Sequence, residues 1–250
     1  ILGKAIALAD WKMGALLWDE PYSAEIAARV RTTLDAVLNA APEIGQASPD
    51  GIAKLMAGLS DSGLCMLDFG NSRPAAGIEH YMSHFLEMKL LREKRPAVLH
   101  GAKVALCSIQ AAELYARLRG LARGEAERRL AVGEWPDPGE DIATIRRAYP
   151  DIAEKVIAEM ALFLNMSAAG FAALKARILE HWDELQELAG KVPAPESLKQ
   201  TMRTAGGGTE PADLGLSDAE VHLALMVGHF FRNRFSVSKL ARILDFADKE

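Results

Sequence analysis

Three histidines stand close together in this chain: His80, His84 and His100. His80 and His84 are four residues apart, so on a helix their rings project from one face, a turn from each other. His100 follows in Leu99-His100-Gly101, where an apolar run resumes after Pro96. Two antiparallel helices joined by the short intervening segment would bring the third ring back towards the first two. Neutral imidazoles suit Zn²⁺, Fe²⁺ or Ni²⁺, and a catalytic site takes three protein ligands and leaves a position open. From spacing alone the plainer reading, partly buried or solvated histidines with no metal, is the favoured one. The preceding segment Asp68-Phe69-Gly70-Asn71-Ser72-Arg73-Pro74 sets turn formers, an arginine and a proline against an apolar helix end. Loops of that kind support small-molecule sites. Alternatively, Arg73 caps the carbonyls of the helix over 52–69 and Asn71 is its left-handed terminator.

The other chemical groups point less sharply. Asp10, beside Trp11, reads as a metal ligand, as a partner orienting one, or as a helix-surface charge, the last two being favoured. His222 and His229 sit among Leu225, Met226 and Phe230 as core or rim residues, and His181 lies in a charged surface stretch. Gly206-Gly207-Gly208 lacks the GxxxxGK[ST] and GxGxxG spacings of phosphate loops and reads as a linker. Arg117, Arg119, Arg123, Arg128 and Arg129 read as a solvated face balanced by Glu125 and Glu127.

The elements that must position these residues are helical almost throughout. Ile6, Leu8, Trp11 and Leu16 give a first stripe ended by Pro21, and Ile26, Val30, Leu34 and Val37 give a second over 23–38. Residues 42–50 read as a loop, 52–69 as a buried central helix, and 70–77 as a glycine-rich connection to a helix starting near Glu79. Further helices are expected over 99–118, over 151–164 with Asp151 as N-cap, and over 168–188. The charged stretch 119–129 and the loops 133–140 and 204–213 separate them. Ser217 and Glu220 form a capping box opening a helix to about Phe230, and a last helix runs from Ser236 to near Phe246. No alternating strand is evident, and the fold class is all-α with about ten helices in a single domain over 1–250.

Composition bounds the function. The 250 residues are 50% apolar, 25% charged and 6% aromatic, enough to bury a large core without a disulfide or metal staple. A net charge of −5, from 29 Lys+Arg and 34 Asp+Glu, argues against nucleic acid as the main partner. Cys65 and Cys107 lie in apolar stretches, as small core residues of a reducing, cytoplasmic protein. No apolar run is long enough for a membrane span, and no signal peptide is evident. The chain opens at Ile1 on an apolar pair running straight into a helix, which reads as the middle of something longer.

The stretch Ser62–Phe85, with Asp68-Phe69-Gly70-Asn71-Ser72-Arg73-Pro74 and Glu79-His80-Tyr81-Met82-Ser83-His84, resembles the sn-glycerol-1-phosphate dehydrogenase family of the iron-containing alcohol dehydrogenase and dehydroquinate synthase superfamily. Leu99-His100-Gly101-Ala102-Lys103 resembles its second histidine motif. Ala7-Leu8-Ala9-Asp10-Trp11 and Arg232-Asn233-Arg234-Phe235-Ser236 match as well, so the resemblance covers the whole chain. It implies the C-terminal helical, metal- and substrate-binding domain of a two-domain enzyme. An N-terminal α/β domain that binds NAD or NADP, with its glycine-rich pyrophosphate loop, is expected upstream. His80 and His100 would be metal ligands, for Zn²⁺ with Ni²⁺ or Fe²⁺ as alternatives, and His84 would contact substrate and serve in catalysis. The family's third ligand is an aspartate that alignment on Lys4 and Asp10-Trp11 places immediately before Ile1. The implied reaction interconverts dihydroxyacetone phosphate and sn-glycerol 1-phosphate, small-molecule partners only, with the oligomeric state, a homo-oligomer included, left open. Two rival readings stand beside it. One is a dehydroquinate synthase-like enzyme or another polyol dehydrogenase, although Ala102 stands where the synthase motif carries Glu. The other is a non-catalytic metal-binding fragment.

Overall fold

The helical periodicity resolves into fifteen α-helices and two 3-10 turns among residues 1–247, the part described by this computed structural model, which is 74% helical with no strand there. Helix α1 (Lys4–Trp18) ends where Asp19 turns left-handed at φ 51°. Ser23 caps α2 (Ala24–Asn39), its Oγ accepting from the Ile26 amide at 3.3 Å; Val30, Leu34 and Val37 of the expected stripe are buried, joined by Ala27, while Ile26 is only half-buried. The loop expected over 42–50 is instead a short α3 (Ala41–Gly45) and the start of α4 (Pro49–Phe69). Pro49 sits at the first position of α4, where its missing N–H and fixed φ favour a helix start, and Ser48 Oγ accepts from the Gly51 amide at 3.1 Å.

Helix α4 is not the buried central helix that its leucines and methionines imply. The residues it buries are Gly51, Gly58, Ser62 and Cys65, whereas Ile52, Met56, Leu59, Leu64 and Leu67 are exposed. The physical reason is close approach. A Cβ at Gly58 would lie 2.5 Å from Val37 Cγ2 and one at Gly51 would lie 2.5 Å from the Glu43 carbonyl carbon, so α4 meets α2 and α3 through its smallest residues and turns its large ones outward. After a 3-10 turn over Arg73–Ala75 come α5 (Ile78–Arg92) and α6 (His100–Gly120). The central buried helix is α6: Leu106, Cys107, Ile109, Ala111, Ala112, Leu114, Tyr115 and Leu118 are wholly enclosed.

The second half holds more breaks than expected. The charged stretch after Gly120 is α7 (Arg123–Val132), and α8 (Pro138–Ala148) starts inside the segment read as a loop, capped by Asp137 Oδ2 on the Glu140 amide at 2.9 Å. The helix expected over 151–164 is two, α9 (Ala153–Glu159) and α10 (Ala161–Leu164), and Asp151 caps neither. That over 168–188 divides at His181 into α11 (Ala168–Glu180) and α12 (Trp182–Lys191). Next is α13 (Pro195–Thr204), a helix the sequence reading did not foresee, which buries Leu198 alone. Gly206–Gly208 stays outside the helices, as a linker would. The capping box at Ser217 and Glu220 forms both of its bonds at the start of α14 (Asp218–Gly228), and α15 (Val237–Ile243) follows.

Buried aromatic and aliphatic residues of α1, α5, α6, α14 and α15 form one continuous core, and both cysteines are buried and free. No helix among the described residues is long and apolar enough to cross a membrane. Most of the arginines read as a solvated face instead tie the bundle together. Arg119 donates to the Ala189 and Val192 carbonyls at 2.9 and 2.7 Å, Arg129 to Leu244 O at 3.1 Å, and Arg117 to Phe246 O at 3.1 Å. Each satisfies carbonyls at or just beyond a helix end, which have no partner within the helix.

Candidate metal and substrate site

The site begins with what fixes α5. That helix starts at Gly77 without a side-chain cap of its own, and its first amides are met from elsewhere: Ile78 N–H donates to Asp10 Oδ2 at 2.8 Å and Gly77 N–H to Glu79 Oε1 at 3.0 Å. Asp10 is fully buried, and its other oxygen accepts from Tyr115 Oη at 2.7 Å and from the Val237 amide at 2.8 Å. One carboxylate on α1 thus caps both α5 and α15. Burial pushes its pKa up to about 6, against the pull of the Arg73 guanidinium. Asp10 is therefore neither a surface charge nor in hydrogen-bond contact with the histidines; it orients the helix that carries two of them. Gly77 must be glycine here, since a Cβ would stand 2.7 Å from Asp10 Oδ2.

The loop after α4 is closed by Arg73, 2% exposed, whose Nε lies 2.7 Å from Glu20 Oε2 and whose Nη2 donates at 2.7 Å to both Asp10 O and Phe235 O. It does not cap α4. That end belongs to Gly70, left-handed at φ 82°, while Asn71 Oδ1 accepts from the Arg73 amide at 2.8 Å to form the turn.

On this platform α5 and α6 run antiparallel and bring the three histidines together. The ring centroids of His80 and His84 each lie 5.5 Å from that of His100. Their environments differ. His80 is mostly enclosed, and its Nδ1 lies 2.7 Å from the fully buried Glu79 Oε1, which leaves Nε2 as the open nitrogen. A carboxylate in that place fixes the ring and raises its basicity as a ligand. Glu79 Oε2 is buried without a hydrogen-bond partner. His100 is the first residue of α6, with Ser83 Oγ 3.5 Å from its Nδ1. Burial and the neighbouring His80 lower its pKa, and the positive end of a helix also disfavours imidazolium. Burial lowers that of His84 too, helped by His100 and His80. His84 Nδ1 is 3.8 Å from Glu87 Oε2, and its ring stacks at 5.2 Å on Phe231.

Neutral imidazoles with open nitrogens are what a borderline divalent cation requires. His80 and His100 fit that demand as part of a donor set, since among the described residues no three His, Cys, Asp or Glu side chains gather into a complete cage. A cavity of about 230 Å³ opens beside the cluster, lined by Ser72, His80, Tyr81, His84, Phe231 and Arg232. On the other side an apolar cavity of about 350 Å³ reaches from His80 and His100 to Leu55, Leu59 and Met202.

The other histidines stay apart. His229 is buried behind Phe230, His222 is exposed on α14, and His181 Nδ1 sits 2.5 Å from Glu184. The sequence reading missed Glu79, because neighbours in a helix point about 100° apart and adjacency says nothing of contact. It also assigned no role to Glu87 or to the 231–234 loop, which come from more distant elements.

No family model matches the chain. Curated proteins do. "Glycerol-1-phosphate dehydrogenase [NAD(P)+]" of Bacillus licheniformis is 34% identical over 210 residues, 80% of this chain and 52% of the relative. The protein of that name from Bacillus subtilis is 41% identical over 135 residues, 53% of this chain and 34% of the relative. That from Geobacillus stearothermophilus is 28% identical over 249 residues, 99% of this chain and 52% of the relative. The chain thus spans about half the length, or less, of these curated relatives. With an all-helical bundle that gathers the motif histidines, this likeness along nearly its whole length makes the chain a homologue of the glycerol-1-phosphate dehydrogenases over about half of their length.

Proposed function

We propose that this chain is the helical, metal- and substrate-binding half of an NAD(P)-dependent dehydrogenase that interconverts dihydroxyacetone phosphate and sn-glycerol 1-phosphate in the cytoplasm. The observation that carries the proposal is the convergence of His80, His84 and His100 from two helices, with Glu79 locking the first ring. His80 and His100 would hold the cation, Zn²⁺ by the character of the donors, with Ni²⁺ or Fe²⁺ also accepted by imidazole. When bound, the cation supplies Lewis acidity at the substrate's C2 oxygen and the nicotinamide supplies or accepts the hydride.

The chain's own residues do the rest. Glu79 keeps the Nδ1 proton of His80 in place, so that Nε2 faces outward. His84, stacked on Phe231, hydrogen-bonds a substrate hydroxyl and takes or returns its proton at an imidazole that is neutral near pH 7. Phe231 and Tyr81 close the cavity beside it against water. The test is turnover by the whole protein. NADH or NADPH should be oxidised in the presence of dihydroxyacetone phosphate, and His84→Ala should lower kcat/KM by about 10²–10⁴-fold, the usual range for a lost acid–base group. Unchanged kcat/KM in His84→Ala would remove that residue's role. Turnover of a seven-carbon phosphate to a dehydroquinate-type product instead would remove the dehydrogenase reading.

A further inference from the structure

Another cavity, of about 270 Å³, opens between α6, α8, α14 and α15 and shares no lining residue with the two beside the histidines. Phe230 lines this one and the next residue, Phe231, lines the smaller of the others. Its wall is largely apolar, with Leu114, Leu223, Met226 and Phe230. Most of the polar side chains on it already have partners. Arg242 Nη1 donates to the buried Asp141 Oδ2 at 2.9 Å, with its guanidinium 5.6 Å from the centre of the Phe230 ring. Thr144 Oγ1 accepts from Arg147 Nη2 at 3.0 Å, and Ser238 Oγ lies 3.1 Å from Ser236 Oγ.

His229 is the exception. It lines the same cavity at 3% exposure, and its Nδ1 is buried without a hydrogen-bond partner. Burial, with Lys239 and Arg242 nearby, pushes its pKa well below the ordinary value, so the ring is neutral. A neutral imidazole has one nitrogen that donates and one that accepts, and a hydroxyl can meet either. Buried polar atoms are rarely left unmet in a folded protein, so the orphaned nitrogen marks a place for an incoming group. The rest of the wall sets the class of molecule that brings it. Asp141 and Arg242 answer each other's charge, so a charged ligand would give up its hydration without gaining a counter-ion. The size fits one ring: a cavity of roughly 150 Å³ suffices for benzene, and drug-sized ligands need roughly 300–1,000 Å³.

We propose that this cavity is a second ligand site, for a small neutral molecule with an apolar body the size of a single ring and a hydroxyl that bonds His229. The site is independent of the dehydrogenase reading, since none of its walls belongs to the histidine cluster. Isothermal titration of the whole protein with phenol tests it, with benzene as the analogue that lacks the hydroxyl and folding checked by circular dichroism. Wild type should bind one phenol. His229→Leu keeps an apolar side chain in place but removes the polar partner. It should weaken phenol about tenfold, the worth of one hydrogen bond, and leave benzene within about threefold of wild type. Leu223→Trp provides a second test that leaves the core alone, because Leu223 is a wall residue 43% exposed to solvent. Its larger ring should block the cavity and weaken phenol and benzene alike, by about tenfold or more. No phenol bound by wild type, or phenol affinity unchanged in Leu223→Trp, would overturn the site. Equal weakening of phenol and benzene by His229→Leu would overturn the hydroxyl's bond to His229, and with it the proposed ligand class.

Discussion

The Nδ1 of His80 faces a carboxylate that has no exposure to solvent, and this pair is where the chemistry of the chain is most constrained. Replacing Glu79 by Gln keeps the shape but supplies a neutral and weaker acceptor for the ring proton. Metal affinity should fall about 10–100-fold, the cost usual for a lost outer partner of a histidine ligand, as read by competition against a chromogenic chelator. A second carboxylate tests the electrostatics away from the site. Hydrogen bonds from Arg95, with help from Ser217 and Lys89, hold the Glu220 pKa down to about 2 from 4.5. Its folded-state pKa is lower than its unfolded one, so the stability it contributes is present above pH 4.5 and lost as the pH falls towards 2. Glu220→Gln should cost about 1–2 kcal/mol at pH 7, and in urea titrations the difference from wild type should begin to shrink below pH 4.5 and close only as the pH reaches about 2. Of these residues the histidines were legible from spacing and motif. Glu79 and Glu220 differ: the capping-box pattern shows that Glu220 bonds its own helix start, but nothing in a local pattern shows that Arg95 reaches it from another element.

Helix α4 shows why element-scale reading succeeds on existence and fails on facing. Its periodicity and its terminal glycine were plain, yet large apolar residues were assumed to point inward, whereas Gly51, Gly58, Ser62 and Cys65 make the contact. Two helices can approach closely only where side chains are small, and a hydrophobicity pattern gives such residues little weight. The breaks at Met160 and His181 escaped notice for a related reason, since no proline or glycine marks them and only packing does. Gly58→Val should destabilise the fold by about 1–3 kcal/mol in chemical denaturation, because its side chain must enter space held by Val37. Leu67→Ala, at 76% exposure, should change stability by less than about 0.5 kcal/mol. If the two variants were equally destabilised, the facing described for α4 would be wrong.

At the scale of the whole molecule, chain-distant segments converge on one corner. The Ala-Asp-Trp stretch of α1 caps α5, the loop after α4 locks through Arg73 onto the segment before α15, and α5 with α6 delivers the histidines. The motifs that carry the family likeness are therefore the ones that build this corner, which explains why the likeness extends along nearly the full chain although the chemistry rests on few residues. Fold class and the meeting of the histidines were readable beforehand; the 232–236 stretch was visible as a motif, but its place beside the cavity next to the histidines was not, because that position depends on Lys239 and Arg73 beneath it. The account stands or falls on His80 and His100 holding a cation. Titration of the protein with Zn²⁺ under chelator competition measures this directly. One ion per chain should bind, with affinity falling at least tenfold in His80→Ala and in His100→Ala and far less in His84→Ala. Binding that survives loss of both His80 and His100, or no binding at all, would contradict the account.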